Sequence, residues 1–243
     1  MTWLTAKAQD MSFRGPGILM VAETQGTGRT TLADMLRTLF GMSNFSNIPF
    51  DRVTSPGDFN EWMESPIVQS DETLHTTTAS TYKAYEALKE VVDFRPKEVR
   101  INAKYQHPRK VVTYTSLLMF SNHEFALGVS AHDRRLYVIS NPRTAAPPAY
   151  FDALNAWLAE TDTTGRPAWA ASVWRWLQER TVDVTELYKP AAVTDAKRTM
   201  LERSNGTVGQ AVDMVLSMWP GRVVWYNAVK DVVMSQADKL LID

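Results

Sequence analysis

The chain has 243 residues, 44% hydrophobic and 22% charged, ordinary globular values at a length that suits one large domain or one domain with a small appendage. A formal net charge of −1 gives no global sign of a nucleic-acid partner, so any basic surface has to be local. The absence of cysteine excludes disulfides and thiolate metal sites, and no apolar run reaches the roughly 18 residues a membrane-spanning helix needs. No signal-peptide core follows Met1 and no repeats or low-complexity tracts occur, so a cytoplasmic protein with no membrane contact is expected.

In chain order, residues 2–11 suit a short helix that ends at Arg14-Gly15-Pro16-Gly17. The apolar run from Gly17 to Ala22 reads as a buried strand. Glu23-Thr24-Gln25-Gly26-Thr27-Gly28-Arg29-Thr30-Thr31 follows, and a helical pattern runs from Leu32 to Leu39. A strand, a glycine turn and a helix start form a phosphate cradle, because loop and helix N–H groups and the helix dipole all favour an anion there. The usual spacing is G-x-x-x-x-G-K-[ST]. Here Glu23 replaces the first glycine and Arg29 replaces the lysine.

Pro66-Ile67-Val68 suggests a short strand, interrupted by Gln69-Ser70 and ending at Asp71-Glu72. From Thr81 to Val92 the residues Tyr82, Tyr85, Leu88, Val91 and Val92 share one helical face. Val99 to Lys104 alternates as a strand does, Val111 to Phe120 is one strongly β-prone run, and Arg135 to Ser140 is another. Pro142 to Pro148 breaks the pattern. Residues 149–180 read as helical, with Trp157, Trp169, Trp174 and Trp176 as packing residues, and residues 191–243 as a small, mostly helical appendage. Strands alternating with helices predict an α/β core with a largely parallel sheet, divided into residues 1–145 and a helical region 146–243. Ligands of such sheets sit at the carboxyl ends of the strands.

Phosphoryl transfer needs a cradle, a metal, a positioned water and positive charge against the γ-phosphate. Gln25, Gly26, Thr27, Gly28, Arg29, Thr30 and Thr31 supply the cradle, with the Thr30 hydroxyl placed for Mg²⁺ and Arg29 for the phosphate oxygens. Asp71 is the second metal candidate and Glu72 the group that polarises water. Asn122, at the tip of an apolar strand, suits a turn, a water or the γ-phosphate, and Arg134-Arg135 suit a surface ion pair or, in an assembly, a neighbour's phosphates. Lys104, Tyr105, His107, Arg109 and Lys110 form a basic hairpin tip with stacking groups, a combination that fits single-stranded nucleic acid or a solvated loop.

The order of these pieces resembles the helicase part of phage and plasmid primase–helicases, within the superfamily III (AAA+ related) helicases. The residues that carry it are Trp3-Leu4, Gln25-Gly26-Thr27-Gly28, Leu39-Phe40-Gly41, Gly57-Asp58-Phe59-Asn60-Glu61-Trp62, Asp71-Glu72, Leu88-Lys89, Ile101 to Lys104, Leu118 to His123 and Asp133 to Val138. Pro190 to Ser204 is similar to the segment after the motor.

The resemblance implies an AAA+-like ATPase that forms a homo-oligomeric ring, a hexamer, and translocates on single-stranded DNA with ATP and Mg²⁺. In it Thr30 and Asp71 hold the metal, Glu72 activates water, Asn122 is the sensor, Arg134 or Arg135 reaches the neighbouring subunit and Lys104 lines the channel. The family's primase–polymerase part is a further expected partner, as a domain or a separate protein. The changes at Glu23, Arg29 and Gln69-Ser70 keep a second reading open, a nucleotide- and DNA-binding ring with weakened catalysis. A small-molecule kinase is a third reading, but no lid or acceptor site is evident.

Overall fold

The computed structural model describes residues 1–22, 24, 26–54, 59–71, 78–123, 127–130, 132–141, 144 and 146–204. Glu23, Gln25, Gly57, Asp58, Glu72 and residues 205–243, all singled out in the sequence, lie outside the described residues.

The order is α1 (Thr2–Gln9), β1 (Gly17–Val21), α2 (Arg29–Phe40), β2 (Phe45–Asn47), α3 (Phe50–Thr54), β3 (Ile67–Ser70), α4 (Thr78–Val91), β4 (Lys97–Ile101), β5 (Arg109–Thr113), β6 (Ser116–Ser121), β7 (Leu136–Ser140), α5 (Pro148–Ala159), α6 (Ala168–Glu179) and α7 (Asp195–Ser204). Five strands form one parallel sheet in the order β2-β3-β6-β1-β7, and β4 and β5 pair antiparallel as a separate hairpin.

Side-chain alternation divides the sheet between two cores. Leu19, Val21, Val68, Leu117, Met119, Leu136 and Val138 face α3, α4 and Met200 of α7. Ile18, Met20, Ile67, Leu118 and Phe120 face α2 and α6. Both faces are covered, which is why β1 and β6 read as continuous apolar runs. Tyr85, Leu88, Val91 and Val92 are buried, as the helical spacing predicts.

The run from Val111 to Phe120 is two strands in two sheets, and the break at Tyr114-Thr115 has no local breaker residue. It is set by tertiary donors. Lys7 Nζ donates to Tyr114 O at 2.7 Å, Arg14 to Thr113 O at 3.4 Å, and the Thr115 hydroxyl to Met63 O at 2.5 Å. Lys7 is fully buried and its ammonium also donates to Met11 O and Phe13 O at 2.9 and 2.7 Å, so all three donors are used. Burial, then the nearby Arg14 charge, push the Lys7 ammonium down to about 7, with Asp10 opposing them.

Gln69 and Ser70 do not interrupt β3. Both are buried strand residues: Gln69 is paired with Asn47 on one side and Leu118 on the other, and Ser70 with Met119. The helical stretch after Pro148 is two helices separated by residues 160–167, and Trp157 and Trp169 pack across them with ring centroids 5.7 Å apart.

Candidate functional site

β1 ends at Val21 between β6 and β7, and the chain then turns into α2 through Gly26 and Gly28, at φ 73° and 83°. Both values lie in the left-handed region, where a side chain is strained. Gly28 caps α2, and its carbonyl accepts the first helical bond, from Leu32 N at 2.9 Å. Neighbouring strand ends fasten the turn. Ala22 N donates to Ser121 O at 3.0 Å, Asn141 N to Val21 O at 2.8 Å, and the Asn141 amide to the Thr27 hydroxyl at 3.3 Å. The open helix start thus sits over the carboxyl ends of β6, β1 and β7, where strand order changes direction.

Arg29 does not extend into solvent. Its guanidinium donates to Ser121 O at 2.5 Å and to Asn122 Oδ1, joining the helix start to the tip of β6. Burial pulls its pKa below the ordinary arginine value, and Asp71 opposes that shift. Arg29, Thr30, Asp71, Phe120, Ser121 and Asn122 line one cavity of about 250 Å³. Thr30 and Asp71 are both exposed and offer hard oxygen donors to the same space, a set that fits Mg²⁺ with waters and phosphate completing the shell. The Gln69 amide donates to both Asp71 oxygens, at 3.0 and 2.8 Å, and Asn47 approaches at 3.4 Å. Gln69 therefore orients the carboxylate, a role hidden in the sequence by its appearance as a flaw in an apolar strand.

Beside the turn, Thr27, Leu32 and Met35 face Tyr150, Phe151 and Leu154 of α5 across a more apolar space of about 420 Å³. The sequence reading missed this lobe. Its only signal was the aromatic pair at the start of α5.

Lys104, Tyr105 and His107 lie in the turn of the β4–β5 hairpin, and Arg109 and Lys110 begin β5. All five are exposed, Tyr105 at 92%, with φ 63°. Asn60 straps the hairpin base, accepting from Asn102 N at 2.7 Å and donating to Arg100 O at 3.1 Å. Two of the cations are paired: Arg109 with Glu64 at 2.5 Å and Lys110 with Glu98 at 2.7 Å. Lys104 lies over the Tyr105 ring, 5.0 Å from its centroid. The hairpin enters the main sheet at the start of β6, the strand end opposite Asn122.

Arg134 and Arg135 precede β7, at the amino edge of the sheet. β1 and β7 run in parallel register from Gly17–Leu136 to Val21–Ser140, so a strand length of about 13 Å separates these arginines from the glycine turn. Asp133 fixes their loop. It forms a fully buried ion pair with Lys197 of α7 at 2.8 Å and accepts from the Tyr85 hydroxyl at 2.6 Å and from Arg135 N and Leu136 N at 3.2 and 3.0 Å. Burial and the Asp133 hydrogen bond push the Tyr85 phenol well above its usual pKa. The structure thus gathers Arg29, Thr30, Asp71 and Asn122 at one site and holds the hairpin and Arg134-Arg135 apart from it.

A family model described as a family of unknown function, DUF5906, matches residues 20–135. No curated protein matches the chain. Among solved structures, an apo structure of the NrS-1 C-terminal region (305–718) matches with TM-score 0.63 and 16% identity, over 97% of this chain and 57% of that one. The A form of the same region matches with TM-score 0.65 and 17% identity, with the same coverage. A crystal structure of JCV helicase bound to a thiazolopyridine acetamide matches with TM-score 0.44 and 15% identity, over 89% of this chain and 60% of that one. The chain therefore spans little more than half the length of the NrS-1 structures. The likeness to them is one of fold, which in this chain is an α/β core built on a five-stranded parallel sheet.

Proposed function

We propose that this chain is an ATP-driven helicase motor that works as a homo-oligomeric ring, a hexamer, on single-stranded DNA. The observation that carries the reading is the cavity in which Thr30, Asp71, Arg29 and Asn122 meet beneath a glycine turn at the sheet's switch point. In this proposal the turn from Gln25 to Thr31 holds the phosphates through backbone N–H groups. Thr30 and Asp71 hold Mg²⁺, which neutralises charge developing on the phosphate oxygens. Gln69 keeps the Asp71 carboxylate aimed, Glu72 takes the proton of the attacking water, and Asn122 orients that water. Arg134 and Arg135 are too far from their own turn to help it, so their action is in trans. Lys104 and the hairpin contact DNA phosphates, with Tyr105 and His107 stacking on bases or sugars. A primase–polymerase domain or protein is the expected working partner, in the cytoplasm of a host cell that carries a phage or plasmid.

A second reading is a nucleotide- and DNA-binding ring with little turnover. It is favoured by the engagement of Arg29 with Ser121 and Asn122, which occupies both the cation and the sensor amide. ATP turnover with and without single-stranded DNA separates the two. DNA-stimulated turnover is expected for the motor, and nucleotide binding without it supports the second reading. No calorimetric binding at millimolar ATP–Mg²⁺ overturns both.

A further inference from the structure

Arg95, from the turn between α4 and β4, shares a cleft of about 620 Å³ with Arg134 and Arg135. Tyr188 and Asp93 also line it. Among the described residues none of these three guanidiniums is in an ion pair, whereas Arg37, Arg109, Arg175 and Arg198 each have an acidic partner. Among the described lining residues Asp93 is the acid; it accepts the Arg95 backbone N–H at 3.3 Å and also acts on the buried Arg14, while nearby Glu90, which feels Arg135, is paired with Lys97 at 2.6 Å, so three guanidiniums leave the cleft an excess of positive charge.

The loops that carry these arginines are held from beneath. Arg14 donates to Val91 O at 2.6 Å and to Arg95 O at 2.8 Å, and Lys197 donates to Asp133 O and Leu136 O at 3.0 and 2.9 Å. Two buried cations thus fix the backbones from which three unpaired guanidiniums reach into one space. Such an arrangement suits a compact anion with several oxygens, since each planar fork can take two. A nucleic-acid backbone would need a continuous groove, and here the charges converge.

We propose that this cleft receives the triphosphate of a nucleotide held by a second copy of the chain, and that Arg95 contacts those phosphates together with Arg134 and Arg135. The proposal rests on the motor reading above. It adds a third arginine, from a different loop, and a built receptor for the neighbour's nucleotide.

The test is complementation with the full chain. Arg95→Ala lowers DNA-stimulated ATP turnover by roughly tenfold to a hundredfold, the effect of losing one or two charge-assisted bonds, and leaves the melting temperature unchanged. Arg95→Lys recovers part of the loss. Thr30→Ala is inactive by itself, and mixing it with Arg95→Ala restores turnover, because an intact phosphate turn then meets an intact Arg95 across some interfaces.

Turnover by Arg95→Ala equal to wild type overturns the proposal. So does a mixture that stays inactive when Thr30→Ala mixed with the Arg134→Ala, Arg135→Ala protein recovers. A selective loss of DNA affinity, measured by fluorescence anisotropy with DNA-free turnover unchanged, assigns the cleft to nucleic acid and also overturns it. If wild-type protein neither binds nor hydrolyses ATP, the motor reading fails first and the proposal falls with it.

Discussion

A lysine at position 29 would offer the phosphates a single ammonium. Arg29 offers a fork, and that fork is engaged at the tip of β6 through Ser121 and Asn122. In the proposed motor, phosphate oxygens would compete with those acceptors for the fork. Arg29→Lys is therefore expected to tighten ATP–Mg²⁺ binding and to keep or raise turnover, while Arg29→Ala weakens binding about tenfold, both read by calorimetric titration. Lys7 gives a residue-scale prediction of another kind. Its folded-state pKa, about 7, lies below the unfolded value of 10.5. Between those values the unfolded chain holds the extra proton, so stability relative to Lys7→Met rises with pH across that window and is level below it. Urea midpoints of the two proteins across the window provide the measurement, and a difference that does not change with pH would show that Lys7 stays charged.

At the scale of the element, the hairpin is less positive than its sequence. Arg109 and Lys110 are paired with Glu64 and Glu98, but all four groups are partly solvated, and such pairs are worth no more than about 1 kcal/mol. Glu64→Gln with Glu98→Gln is expected to strengthen single-stranded DNA binding. Removing Lys104, Arg109 and Lys110 together should weaken it and flatten the salt slope by about 0.7 per lost phosphate contact. Unchanged affinity in both experiments would leave the hairpin a solvated loop. The anchor of α7 is tested by Lys197→Met, which strands the buried Asp133 charge and should cost about 3–5 kcal/mol in chemical denaturation.

The hairpin and the glycine turn before α2 were legible as structure because their residues carry local signals: glycines before a helix, and alternation around a basic turn. The break between β5 and β6 was not, since donors from Lys7 and Arg14 and the Thr115 bond to Met63 O, all between residues distant in sequence, create it. Gln69 was misread for a different reason. Its polarity serves Asp71, two residues on and on the same side of the chain, and an apolar pattern alone does not show that pairing.

For the whole molecule, the glycine turn and Arg134-Arg135 occupy opposite edges of one sheet. If those arginines act on a neighbour, an Arg134→Ala, Arg135→Ala protein added to wild type should depress turnover more than in proportion. A linear fall would restrict them to their own subunit. The same separation limits the symmetry of any such assembly. A two-fold dimer joins like surfaces, and no two-fold axis can seat each subunit's arginine edge on the other's phosphate edge unless a single patch contains both. Where the two edges form separate patches, such a contact is head-to-tail, made of two unlike surfaces. Each added copy leaves one edge of each kind unfilled until the rotation per step closes a circle. A circle built this way has a sense of rotation, with every subunit pointing its arginines the same way round, and a step that missed closure would instead extend an open helical filament.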